Sequence, residues 1–458
     1  MLLGPLFDRF ADDSPVSVMV RGSVEYALTA TALDELFARR AERQYTRALL
    51  FSSVVDLMAL VVTGVRKSVH AAYQATAPEV AVSLTAVYHK LSGIEPALSA
   101  ELVRHTAGRL APVVQELDGA AAEWLPGYRT RILDGNHLAA TEHRLRETRG
   151  NAAAPLPGQA LVVYEPALGL VTDAFPCEDG HAQERCLLDQ VLATLRERDL
   201  WLADRNFCVR AFLLAVVSRG AFFVIRQHEG LAWEPAGKDH GRGRIDGARV
   251  REQRVAIRDD DGRRVFLRRV VLQLDQPTRD GDRELAVLTN LAEAAAGARE
   301  VGRLYRRRWT IEEAFAELER ALAGEIDTLC YPRAALFAFC CALAAYNVLG
   351  VVRGAIRAAH GAEAVEEISG YYLADEIAGT QRGMMIAIPA EHWQVFAGLT
   401  AAAFAGVLRE LAGKVRLAAF RRHRRGPKKP PVKRRYNKKQ PHVSTAKLLE
   451  KRRRYKTL

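Results

Sequence analysis

Two aspartates stand in the same local setting. Asp134 follows the apolar pair Ile132 and Leu133 and precedes Gly135; Asp204 follows Leu200, Trp201, Leu202 and Ala203 and precedes Arg205. Each ends a short strand-like run and opens a polar turn, and carboxylates at the ends of neighbouring strands converge on one point. A third acid comes from residues 292–322, which read as one long helix offering Glu312, Glu313, Glu317 and Glu319. Such hard oxygen ligands suit Mg²⁺, which takes one or two carboxylates per ion together with water and phosphate oxygens, and Mn²⁺ suits the same donors. Two ions about 3.5–4 Å apart stabilise the entering and leaving oxygens of an in-line phosphoryl displacement. The chain holds 54 acids, so two aspartates and a glutamate alone do not separate a metal site from solvated surface carboxylates.

The surrounding pattern predicts the elements that position these acids. Residues 1 to about 120 read as mainly helical, with Ser83 capping a short helix that runs to Leu91. A helix after a turn suits DNA reading, and equally suits an ordinary surface position. Pro96 and the segment 119–124 mark a junction near 120. From about 128 the texture turns to β. Runs at 129–133, 161–164 and 170–172 read as strands, the last two joined as a hairpin through 166–169. A helix at 182–198, a strand at 200–203, a helix at 207–217 and a strand at 221–225 complete a β–β–β–α–β–α–β order, a meander followed by parallel-type crossovers. Residues 230–290 break that rhythm with a hairpin around 259–262 and a strand at 285–288. A helical region fills 332–420. The reading is an α/β catalytic domain over 121–420, behind a helical, DNA-binding domain over 1–120.

The net charge of +12 is not spread evenly. Residues 421–458 carry 17 Lys or Arg and one acid, Glu450, leaving the rest of the chain at −4. This basic, Pro-containing tail reads as disordered on its own, and its natural partner is a polyanion bound through salt-sensitive counterion release. The six cysteines include no CxxC pair, so neither a disulfide framework nor a zinc knuckle is indicated, and reduced cytosolic thiols are the simpler reading. No basic n-region with an apolar core opens the sequence, so no secretory leader is expected. The apolar run 335–352 contains Asn347 and reads as a buried helix rather than a membrane span.

The residues around Glu312 carry a more specific signal. Tyr305, Arg308, Trp309, Ile311, Glu312 and Phe315 resemble the Tyr-x2-Arg-x3-Glu-x6-Lys signature of the insertion-sequence-four family of DDE transposases. Ile132-Leu133-Asp134-Gly135 looks like the first Asp site of that family, and Leu202-Ala203-Asp204-Arg205-x-Phe207 looks like its second. Leu288-Thr289-Asn290 is similar to the strand the family carries before its Glu helix. The resemblance spans about 128–350, with four separated motifs in order. It implies an RNase H-like core with a β-rich insertion before the Glu. It also implies Asp134, Asp204 and Glu312 as catalytic metal ligands for two Mg²⁺ ions, and a homodimer bridging two DNA ends. The implied reaction is strand cleavage at transposon ends, then attack of the freed 3′-OH on target DNA, in the cytoplasm on the bacterial nucleoid.

Neighbouring residues have physical roles to match. Arg308 suits bidentate phosphate binding, or an ion pair with Glu312 four residues on. The Tyr305 hydroxyl suits phosphate as well. Trp309 suits stacking on an unstacked base, or a place in the core. Arg205 suits neutralising charge beside Asp204, and His137 reads as a surface histidine. One departure is plain: where the signature has Lys, this chain has Glu319, whose charge repels phosphate, so that contact falls to Arg320 or to the tail. That substitution keeps a second reading open, a non-catalytic DNA-binding regulator or a decayed transposase.

Overall fold

A computed structural model describes residues 5–42, 44, 48–76, 80–278, 281–422 and 441–456. Seven helices come first: α1 (Pro5–Asp13), α2 (Pro15–Ala27), α3 (Ala30–Arg40), α4 (Phe51–Val62), α5 (Val69–Thr76), α6 (Leu84–Gly93) and α7 (Pro96–Glu116). The Ser83 hydroxyl caps α6 by accepting from the Ala86 amide at 3.3 Å. Then follow β1 (Arg129–His137), β2 (Pro155–Leu156), β3 (Gln159–Glu165), β4 (Leu170–Cys177), α8 (Leu188–Leu192), β5 (Asp199–Ala203), α9 (Arg210–Ser218) and β6 (Phe222–Arg226). Long strands β7 (Glu234–Ile245), β8 (Ala248–Arg258) and β9 (Arg264–Leu274) precede β10 (Glu284–Thr289). The rest is helical: α10 (Ala298–Arg307), α11 (Thr310–Ala321), α12 (Pro332–His360), α13 (Ala362–Glu366), α14 (Gly370–Ala387), α15 (Ala390–Trp393) and α16 (Ala401–Gly413), closed by β11 (Val443–Ser444) and α17 (Thr445–Lys456).

Among the described residues, nine strands form one mixed sheet in the order β4-β3-β1-β5-β6-β10-β9-β8-β7. β1, β5 and β6 run parallel to one another, and the remaining neighbours are antiparallel. The pattern follows from the connections. Short turns can only return a strand antiparallel, whereas the helical crossovers α8 and α9 bring β5 and β6 back in the direction of β1. Side chains alternate across the central strands. Ile132, Leu202 and Val224 face the large helical core, while Leu133, Ala203 and Ile225 face a second core built with α8 and α9. Covered on both faces, these strands read as unbroken apolar runs rather than alternating ones. The stretch expected to interrupt the fold extends the same sheet outward through β9, β8 and β7.

The helices α1–α7 and α12–α16 share one apolar core. Within it Phe7 meets Trp393 edge-on, Trp393 stacks on Phe396, and Tyr26 lies flat on Phe404 with ring centroids 4.5 Å apart. α12 is long and apolar enough to cross a membrane, yet 94% of its most apolar window is buried inside the protein. Asn347, in the middle of its apolar run, explains how it docks on the sheet edge. The fully buried Asn347 side chain accepts from the Val171 amide at 2.7 Å and donates to the Val171 carbonyl at 2.8 Å. Asn347 thus does for Val171 what a residue of another strand would do.

Four sequence expectations need correction. β1 continues to His137, so Asp134 lies inside the strand, paired with Val162, rather than at its end. The helix expected over 182–198 is a short 3-10 turn plus α8, because only Leu187, Leu188 and Val191 reach the core there. The helix expected over 292–322 is two helices that break at Arg308 and Trp309, where the Thr310 hydroxyl caps the Arg307 carbonyl at 2.7 Å. The tail is not wholly disordered. Residues 423–440 lie outside the described residues, but Val443 and Ser444 pair with β2 and α17 follows them. Local acids compensate the positive charge: Asp179 takes Ser444 at 2.7 Å and Lys447 at 3.0 Å, and Glu147 takes Arg452.

Candidate active site

The parallel register of β1 and β5 sets the geometry. Leu133 lies opposite Ala203, so Asp134 and Asp204 follow at the same level on adjacent strands, whose backbones are about 4.8 Å apart. Asp204 directly follows β5, and Asp134, though inside β1, lies just past the last residue pair of the parallel β1–β5 ladder, on the carboxyl side where open α/β sheets bind ligands. Asp134 shares strand parity with Ile132 and so faces the side on which α10 and α11 pack.

Arg308 reaches this point from the break between α10 and α11. Its guanidinium donates to Asp134 Oδ2 at 2.6 Å and to Glu312 Oε1 at 2.9 Å. Burial works against its charge, but Asp134, the Tyr305 hydroxyl, Asp204 and Glu312 together hold its pKa above the ordinary value. One buried cation therefore stands among all three predicted acids. The break in the helix lets it do so. Three consecutive arginines diverge there: Arg306 bonds the Asp246 carbonyl, Arg307 stacks 3.9 Å over the Trp124 ring, and Arg308 turns inward.

The electrostatics are strained in a way that suits a cation site. Burial pushes Asp134 up to about 6; Arg308 and the Gly135 amide pull it down, and the charges of Glu312 and Asp204 add to the rise. Burial pushes the Tyr305 phenol up to about 12, and it lies against Arg308. The Nε of Arg308 is buried and has no acceptor among the described residues. Among the described residues, no three His, Cys, Asp or Glu side chains stand close enough as placed to hold a metal ion. The donor set is nevertheless all hard oxygen, and the Glu312 side chain, paired with Arg308, is 55% exposed rather than packed in the core.

Of the other predicted residues, Trp309 is 46% exposed and lines a cavity of about 300 Å³ with Asp275, Thr278 and Arg306, so it is not a core aromatic. Arg205 is exposed and acts electrostatically on Asp282. Glu319 is exposed, and the side chain of Arg320 lies outside the described residues. His137 is a surface residue 3.9 Å from Glu184.

The sequence reading missed three contributors. Arg226 ends β6, the third parallel strand, and bonds Asp282 at 2.8 Å; Asp282, Tyr305 and Asp204 outweigh burial and hold its pKa above the ordinary value. The same strand-end logic that singled out the aspartates would have found it. Glu325 accepts from the Ala139 amide at 2.9 Å and from Asn136 at 3.3 Å, pinning the end of β1 from the loop after α11. Glu184 reaches Asn206 at 3.3 Å and lies so close to Gly135 that a Cβ there would sit 1.9 Å from its carboxylate oxygen. Nothing in the local sequence flags Glu325 or Glu184, because each acts across the fold.

No curated protein matches the sequence. Among solved structures, a cryo-EM structure of the piggyBac transposase synaptic complex with hairpin DNA aligns over 85% of this chain and 86% of that one, with 10% identity and a TM-score of 0.35. Residues 125–348, which contain Asp134, Asp204 and Glu312, match the family model of the Transposase DDE domain, and the chain is a DNA transposase of the DDE type.

Proposed function

We propose that Asp134, Asp204 and Glu312 are the catalytic triad of this transposase, within an RNase H-like core of the insertion-sequence-four type. The observation that carries this reading is Arg308, bonded to Asp134 and Glu312 and within electrostatic reach of Asp204 where the β1–β5 ladder stops. The strand order β4-β3-β1-β5-β6, with β1, β5 and β6 parallel, supports the core assignment. DDE domains depend on divalent metal; here two Mg²⁺ ions, replaceable by Mn²⁺, are the proposed cofactors, held by the three carboxylates. When bound, such ions activate the attacking oxygen and neutralise the charge that builds on the leaving one.

The chain's own residues supply orientation. Arg308, with its spare buried Nε, and Tyr305 hold the phosphate next to the cut. Trp309 offers a stacking face to a base lifted from the duplex, with Arg205, and Arg320 on the next turn, steering the backbone. The helical residues 1–120 act as the DNA-binding domain and residues 421–458 add basic charge. Two copies bridge the paired ends. The exposed Glu319, in the Lys position of the signature, supports the second reading of a protein that binds ends without cutting them.

The experiment is cleavage of a labelled duplex carrying the element's own terminal sequence. Asp134→Asn, Asp204→Asn and Glu312→Gln abolish cutting and leave binding nearly unchanged. Robust cutting by any of the three removes that residue from the triad, and no cutting by the native chain leaves the non-catalytic reading.

A further inference from the structure

The outer strands of the sheet carry a surface that the catalytic site does not use. Phe266 on β9 is 46% exposed, which is unusual for a phenylalanine in mid-strand. Two guanidiniums flank its ring, Arg254 at 4.1 Å and Arg264 at 5.3 Å from the centroid. The register explains the grouping. Phe266 lies opposite Ala256 and Arg254 opposite Arg268, so Arg254 is the diagonal neighbour of Phe266 on the same face.

Beside this ring opens a cavity of about 390 Å³, lined also by Lys238 and His240 of β7. Its acids are already taken, Glu252 by Arg242 and Arg268 and Glu293 by Arg242, and Glu234 outside it is taken by Arg258 and Arg264. Among the described residues, neither Arg254 nor Lys238 has an acidic partner. The surface therefore presents uncompensated positive charge beside an exposed aromatic ring, the pairing that receives a phosphate backbone and a base face together.

We propose that Phe266, Arg254 and Lys238 form a second DNA-binding site that takes an unpaired stretch of strand, one base stacking on Phe266 and the flanking phosphates on Arg254 and Lys238. The site lies apart from the carboxylates. Phe266 is eight residues along β9 from Leu274, which lines the Trp309 cavity, a distance of roughly 26 Å at the rise of a strand. A duplex hides its base faces, so the ring discriminates unpaired from paired DNA, whereas charge alone does not. The inference rests on the transposase assignment and is independent of the triad.

The test is fluorescence anisotropy of the full chain with a labelled thymidine dodecamer, and with a fully paired duplex of the same length, over a range of salt. Phe266→Ala binds the single strand about tenfold more weakly and keeps the native salt slope; Phe266→Tyr stays near native. Arg254→Gln weakens binding and lowers the slope by about 0.7. Duplex binding, dominated by the tail and other basic surfaces, is unchanged by Phe266→Ala. Phe266→Leu keeps apolar bulk without the ring and behaves as the alanine variant does. Native-like single-strand binding by Phe266→Ala overturns the proposal, as does equal weakening toward strand and duplex. Failure of the triad variants to abolish cutting would not touch this result.

Discussion

Removing the guanidinium of Arg308 should raise the affinity of the DNA-free chain for divalent cations while lowering its activity. Arg308 donates to Asp134 and Glu312 at 2.6 and 2.9 Å, so a cation entering between these carboxylates must displace it from at least one. The Asp134 contact is largely shielded from water, with side-chain exposures of 6% and 19%. A charge-assisted bond of that kind contributes about 1.5–3 kcal/mol. The Glu312 contact is 55% exposed on the acid side and adds little. Arg308→Ala should therefore bind Mn²⁺ roughly 10- to 100-fold more tightly than the native chain, as measured by calorimetry or by the free Mn²⁺ paramagnetic signal at neutral pH. Strand cleavage should fall, because the buried donor next to the phosphate is gone. Arg308→Lys keeps the charge and loses the fork, and should lie between the two in metal affinity. If Arg308→Ala binds Mn²⁺ no more tightly than the native chain, the guanidinium does not occupy the cation position and the site has been misread.

Three further perturbations follow from contacts described above. Asn347→Ala leaves the amide and carbonyl of Val171 buried and unpaired and should cost about 2–5 kcal/mol, with the Val171 amide becoming fast in hydrogen exchange while distant strands stay protected. Gly135→Ala places a Cβ against the far end of the flexible Glu184 side chain, which should swing off Asn206, so cleavage should fall by no more than about tenfold; adding Glu184→Ala in the same chain should restore it if the clash is the cause. Burial raises the pKa of Asp179, but the Ser444 hydroxyl, the His181 amide and Lys447 outweigh that and hold it below the ordinary value. The docking it provides is therefore present above about pH 4 and lost as pH falls through the depressed value. Asp179→Asn should expose α17 to limited proteolysis at neutral pH, and a variant as resistant as the native chain would contradict the docking role.

What the sequence could reveal depended on how local each feature is. The strands around Asp134 and Asp204 are legible because sheet burial on both faces writes itself as apolar runs, and the Ser83 cap because its hydrogen bond spans three residues. The break between α10 and α11 is not legible. Residues 306–312 contain neither Gly nor Pro, so no residue type there marks the break. Asp134 reads as a strand end because Gly135 and Asn136 are poor strand formers, yet β3 pairs through to His137 and Glu325 pins the strand there. The far end of the basic tail misleads for a related reason: composition reports its charge but not Asp179 and Glu147, which lie more than 250 residues earlier.

The break at Arg308 and Trp309 has a mechanical consequence. α10 lies against β6 to β10, whereas α11 lies against α14, α12 and β1 and is bolted to α12 by the Glu317–Arg353 ion pair. The joint that carries Arg308 just before Glu312 is thus clamped from two sides, by the sheet through α10 and by the helical layer through α11, and that double anchorage fixes where the guanidinium and the carboxylate meet.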